Sequence, residues 1–166
     1  MFSLTKTEAA QIWPELEKLW LKQVKLRACG TQADDRKSAE RRRDERPTVL
    51  VVDDDDDVRG YAAAVLQGVG YTVVAAASPS EALYRLGDAS TIDLLFTDIV
   101  LPEIDGFKLA ELAKRRHPGL RVLYASGYLD VLERQPVERY GRVLAKPYRS
   151  AQLEQAVGEA TTRQRN

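Results

Sequence analysis

The chain has 166 residues, enough for one domain of ordinary size with something left over. Its 25 basic and 25 acidic residues cancel, so no overall charge draws it to nucleic acid or to an anionic membrane. The single cysteine, Cys29, excludes an internal disulfide and fits a reducing compartment. No apolar run approaches the roughly 18 residues of a spanning helix. Lys6, Glu8 and Gln11 break any signal-peptide core. The expectation is a soluble, cytoplasmic protein.

Residues 1–30 read as a helical segment. Ile12, Leu16, Leu19, Trp20 and Val24 recur at intervals of three and four and draw an apolar stripe. Pro14 should kink the helix or start a second one, and Gly30 suits its C-terminal end. The stripe, with Trp13 and Trp20, either packs on the following domain or forms a dimer or partner surface. Cys29 at this helix end reads as an inert thiol.

Residues 31–47, TQADDRKSAERRRDERP, carry charge without apolar periodicity and read as a linker. Arg41, Arg42 and Arg43 are followed at once by Asp44 and Glu45, which argues for a solvated stretch rather than a phosphate-binding surface.

From Thr48 the pattern alternates, marking a third region over 48–166. Strands are expected at Thr48–Val52, Tyr71–Ala75, Ile92–Thr97, Leu120–Ala125 and Gly141–Ala145. Helical patterns cover Val58–Gln67, Ser80–Leu86, Asp105–Arg116 and Ser150–Ala160. The stretch from Asp130 is interrupted by Pro136 and predicts a short or irregular helix. His117, before Pro118, reads as an exposed helix exit. Such βα units with short connections imply an α/β domain with a parallel sheet and helices on both faces.

The run Leu94-Leu95-Phe96 reads as a strand buried on both faces, and it ends in Asp98. Open α/β sheets place their ligands at that end of their strands. The first strand ends in Asp53-Asp54, the fourth in Ser126 and the fifth in Lys146, so all should line one crevice. Asp54 and Asp98 can hold a hard divalent cation, typically Mg2+, through oxygen ligands. Asp98 would act as the nucleophile of a phosphoryl transfer. Lys146 would grip a phosphoryl oxygen and the Ser126 hydroxyl would donate to another. Clustered carboxylates repel; cation and lysine oppose that repulsion.

VLVVDD, TDIVLPEIDGF, VLYASGY and VLAKPY, in that order, resemble the response-regulator receiver domain of bacterial two-component signalling. The resemblance covers the chain from about Thr48 onward. It implies a flavodoxin-like doubly wound five-stranded parallel sheet of order 2-1-3-4-5. It also implies phosphorylation at Asp98, direct Mg2+ ligation by Asp54, participation of Asp53 at least through water, and a backbone carbonyl from Val100. Ser126 would be the hydroxyl that moves toward the phosphate, and Lys146 the lysine, with Pro147 in a cis-prone position. The implied partners are a sensor histidine kinase or phosphotransfer protein and an output protein. The chain would be no enzyme beyond its own phosphorylation and dephosphorylation.

The sequence departs from that family at the last strand, where Val143 stands in the place of the usual aromatic switch residue. Tyr140 lies further back, while Tyr124 and Tyr128 flank Ser126. YASGY resembles a subgroup of stand-alone receivers, which makes Tyr124 or Tyr128 the expected reporter of phosphorylation. Val100 and Tyr128 flank the expected path of a hydrolytic water, so dephosphorylation should be slow. The chain ends soon after the last helical pattern, which leaves no room for a C-terminal DNA-binding domain. SGY and KPY also resemble hybrid-kinase receivers, though the opening Met1 argues mildly against a fragment.

Other readings of the acidic run are weaker. An EF-hand could use Asp53, Asp55 and Asp57, but Val58 and Ala64 occupy its glycine and glutamate positions. An acidic tail would be longer and would not follow a buried strand. A haloacid-dehalogenase-type phosphatase could use Asp54, Asp56, Val58, Ser126 and Lys146. It would lack a later acidic pair and leave Asp98 idle. A dimerising or docking module built on the N-terminal helix, with phosphorylation secondary, is the alternative from another class.

Overall fold

The computed structural model describes residues 47–88, 92–127 and 141–162. The expectations for residues 1–46, for the stretch from Asp130 to Pro136, and for Tyr128 and Tyr140 lie outside the described residues.

Five strands, β1 Thr48–Val52, β2 Thr72–Ala76, β3 Leu94–Asp98, β4 Arg121–Ser126 and β5 Arg142–Ala145, form one parallel sheet. Its order is β2-β1-β3-β4-β5, the doubly wound order that the resemblance implied. The described helices are α1 Asp56–Gly68, α2 Pro79–Asp88, α3 Gly106–Arg116 and α4 Ser150–Thr162.

The central strands are buried on both faces, which is why they read as unbroken apolar runs. On one face Val49, Val51, Leu94, Phe96, Leu123 and Ala125 pack with Ala62 and Leu66 of α1 and with Leu153 and Val157 of α4. Leu50, Val52, Leu95 and Tyr124 alternate to the other face. There α2 and α3 bury Ala82, Leu86, Leu109 and Leu112. Truncating one such leucine to alanine costs about 2–5 kcal/mol.

Local signals set the helix ends. Asp55 caps α1: its carboxylate accepts from the Asp57 and Val58 amides, and Asp56 and Asp57 fill the acidic first turn. At α2, Ser78 Oγ accepts from the Glu81 amide while Glu81 accepts from Ala77, a reciprocal cap with Pro79 just inside. Asp105 caps α3 through Lys108, and Lys114, Arg115 and Arg116 close its last turn.

The structure corrects several sequence expectations. β2 begins at Thr72, because the Tyr71 amide donates to Leu66 O at the end of α1, after Gly70 turns the chain at φ 96°. β3 begins at Leu94, because Asp93 Oδ2 takes the Thr48 amide at 2.8 Å and holds the sheet's lower edge. His117 is half-buried rather than exposed: its Nε2 bonds Leu86 O at 3.0 Å, tying α3 to α2. Burial, more than the neighbouring Arg116 charge, lowers its pKa against the opposing pull of that carbonyl.

Candidate functional site

Strand register decides what meets at the upper edge of the sheet. Val52 pairs with Thr97, so Asp53 emerges beside Asp98. Asp98 pairs with Ala125, and Ser126 pairs with Ala145, so Ser126 and Lys146 follow on the next strands. The Lys146 amide donates to Ser126 O at 2.7 Å, and the Lys146–Pro147 peptide is cis.

Lys146 Nζ bridges two carboxylates, donating to Asp53 Oδ2 at 2.7 Å and to Asp98 Oδ2 at 2.5 Å. The second oxygen of each is held by backbone. Asp53 Oδ1 accepts from Asp55 N at 3.1 Å, and Asp98 Oδ1 accepts from Val100 N at 3.1 Å. Arg59 Nη1 donates to Asp53 O at 2.7 Å, while its Nη2 pairs with Asp56. Asp53 is buried, Asp98 half-buried and Asp54 exposed, a gradient from the floor of the crevice to its mouth. Ser126 is buried at the end of β4.

Burial would push the Lys146 pKa down, but its hydrogen bonds to Asp53 and Asp98 and their charges hold it above the usual lysine value. It is therefore a fixed cation. Burial raises the Asp53 pKa, with the Lys146 contacts opposing it.

Asp53, Asp54 and Asp98 each offer a carboxylate oxygen, and these oxygens lie within 4.8 Å of one another. A hard divalent cation fits three convergent carboxylates. The five-aspartate run thus splits in two, with Asp53 and Asp54 facing the crevice while Asp55, Asp56 and Asp57 start α1. This division rules out the EF-hand spacing. The phosphatase reading fails as well, because Asp56 is turned to Arg59 in the helix and Asp98 sits within the cluster.

The loop after Asp98 is tightly fixed. The Gly106 amide donates to Ile99 O at 2.9 Å. Glu103 receives Ser80 N at 3.1 Å and Ser80 Oγ at 2.9 Å, which ties the loop to the start of α2. Val100 stands exposed at the mouth. Tyr124 is instead buried in the sheet, its ring 4.9 Å from Phe107 and its backbone paired with Val143.

The sequence pattern singles out KPY for its lysine and proline and gives its tyrosine no role. Tyr148 packs edge-on against Phe96 with centroids 5.9 Å apart, and lies 6.2 Å from Tyr61. Burial first, then the charges of Asp53, Asp98 and Tyr61, push its phenol far up, so it stays a proton donor. The aromatic after Lys-Pro was the available signal.

A parallel sheet of this order, with three carboxylates and a lysine gathered at its upper edge, is a doubly wound α/β domain of the flavodoxin-like class. Residues 49–158 match the response regulator receiver domain model, and the chain belongs to that family of two-component signalling proteins. Over 102 residues it is 37% identical to the sensor kinase CckA of Brucella abortus, covering 60% of this chain and 11% of that protein. It is 33% identical over 93 residues to the response regulator receiver protein CpdR of the same organism, covering 55% of this chain and 77% of that one. The chain therefore spans only about a tenth of the kinase. Among solved structures, a receiver domain protein from Clostridium thermocellum superposes with TM-score 0.64 at 26% identity, covering 70% of this chain and 95% of that one. The receiver domain of hybrid histidine kinase CckA gives TM-score 0.59 at 34% identity, covering 69% and 98%. Among the described residues no helix is long and apolar enough to cross a membrane.

Proposed function

We propose that this chain is a phospho-accepting response regulator in which Asp98 is the phosphorylation site. The observation that carries the reading is the double bridge from Lys146 Nζ to Asp53 and Asp98 beside the Asp54 carboxylate. An oxygen of Asp98 attacks the donor's phosphorus, the bond to the donor's leaving group breaks, and an aspartyl phosphate results. Lys146, already a cation, exchanges its Asp98 contact for a phosphoryl oxygen. The Ser126 hydroxyl, at the end of the adjacent strand, donates to another. Asp53, Asp54 and Asp98, with the Val100 carbonyl, would hold Mg2+, which supplies neutralising charge to the incoming phosphoryl group.

The donor is a sensor histidine kinase or a phosphotransfer protein, a reading supported by similarity to a sensor kinase and to a receiver protein. Phosphorylation shifts the domain's population toward a form that binds an output protein, with Tyr124 reporting the state of Ser126. The domain acts in the cytoplasm, where such kinases deliver phosphate. Acetyl phosphate labelling tests this: wild type should gain phosphate with Mg2+ and fail to do so in a chelator, and Asp98→Asn should remain unlabelled in both. Labelling that ignores chelation would contradict the proposed role of the acidic cluster.

A further inference from the structure

Tyr148 follows the cis Lys146–Pro147 peptide, and its ring packs on Phe96. Phe96 and Asp98 are two residues apart on β3 and project to the same face, so this ring lies one step below the acidic cluster. Its hydroxyl is the one buried side-chain oxygen or nitrogen among the described residues without a hydrogen-bond partner. Asp53 and Asp98 both bear on it electrostatically, Asp53 the more strongly.

Unpaired buried hydroxyls cost stability, and the apolar contacts with Phe96 and Tyr61 ask only for a ring. The oxygen therefore calls for a reason beyond packing. Each Asp53 oxygen accepts one donor, from Asp55 N and from Lys146, and a carboxylate oxygen can accept two. Ligand carboxylates are commonly oriented by such outer partners.

We propose that Tyr148 is a positioning residue for the divalent cation, its hydroxyl donating through a bridging water to Asp53 and fixing that carboxylate when the cation binds. The proposal rests on the reading of the cluster as a cation-dependent phosphoacceptor.

Tyr148→Phe removes the hydroxyl and keeps the ring. Two quantities are compared with wild type: the thermal midpoint without divalent cation, and Mg2+ affinity by calorimetric titration. The midpoint should hold or rise, while Mg2+ affinity should fall roughly 10-fold. Phosphate uptake from acetyl phosphate should return to near the wild-type rate at saturating Mg2+, since the hydroxyl acts on binding. A merely structural hydroxyl would lower the midpoint and leave the affinity alone, which overturns the proposal. Equal Mg2+ affinity in the two proteins overturns it too, while wild-type phosphate uptake leaves the phosphoacceptor reading standing. Wild type that binds no Mg2+ overturns both.

Discussion

A Cβ atom on Gly106 would stand 2.1 Å from the Asp98 carbonyl oxygen and 3.1 Å from the Ile99 Cα. The start of α3 is thus pressed against the backbone of the residue at the centre of the site. Neither neighbour is a flexible side chain, so the backbone itself would have to shift. Gly106→Ala should destabilise the domain by about 3 kcal/mol, at the upper end for overpacking, and should displace Asp98. Urea unfolding measures the first effect and Mg2+ titration the second.

Lys146 holds two carboxylates, one of them buried. Lys146→Met should slow phosphate uptake by roughly 100-fold, the scale of losing one fixed donor to a developing charge. It should also destabilise the cation-free protein near neutral pH by about 1–3 kcal/mol, because Asp53 is left buried without its counter-charge. The sign with pH follows from linkage. A carboxylate whose folded pKa is raised binds more protons folded than unfolded, so the penalty should shrink as pH falls and Asp53 takes a proton. Denaturant unfolding across the acid range checks both size and slope.

His117 provides a pH dependence remote from the site. Its folded pKa lies below the ordinary value of 6.5, chiefly because the ring is half-buried, with the hydrogen bond to Leu86 O opposing the shift. The unfolded chain therefore binds more protons in the window just below that value. Stability should be full above it and fall as the pH drops through the window. In His117→Gln this slope between about pH 8 and about pH 5.5 should flatten, which denaturant unfolding would show.

Tyr124 is fixed by Phe107, with ring centroids 4.9 Å apart, and by backbone pairing with Val143. Tyr124→Ala should cost about 3–5 kcal/mol in urea unfolding, the scale of emptying a buried aromatic site. Tyr124→Leu should retain the fold. If Tyr124 reports phosphorylation, that variant takes up phosphate at the wild-type level yet binds its output protein with weakened dependence on it. Unchanged dependence would remove Tyr124 as the reporter.

Much of the fold was legible because it is written in periodicity. Leu94-Leu95-Phe96 could be read as a central strand, since burial on both faces removes the need for polar alternation. Ser78-Pro79-Ser80-Glu81 announced a helix start for the same reason it caps one. Asp53, Asp54, Asp98 and Lys146 could be grouped because parallel strands end on one edge. What the sequence did not disclose depends on tertiary partners. Tyr71 leaves the sheet for the end of α1, and His117 finds Leu86 O 31 residues away. The Glu103–Ser80 tie and the buried Tyr148 hydroxyl likewise join segments with no local pattern connecting them.

The central claim is that Asp98 accepts phosphate in a site assembled by Asp53, Asp54 and Lys146. Intact-mass measurement of wild type and Asp98→Asn, each incubated with Mg2+ and acetyl phosphate, tests it most directly. Wild type should gain one phosphate and Asp98→Asn none. No gain in a folded, Mg2+-binding wild type, or an equal gain in both proteins, would contradict it.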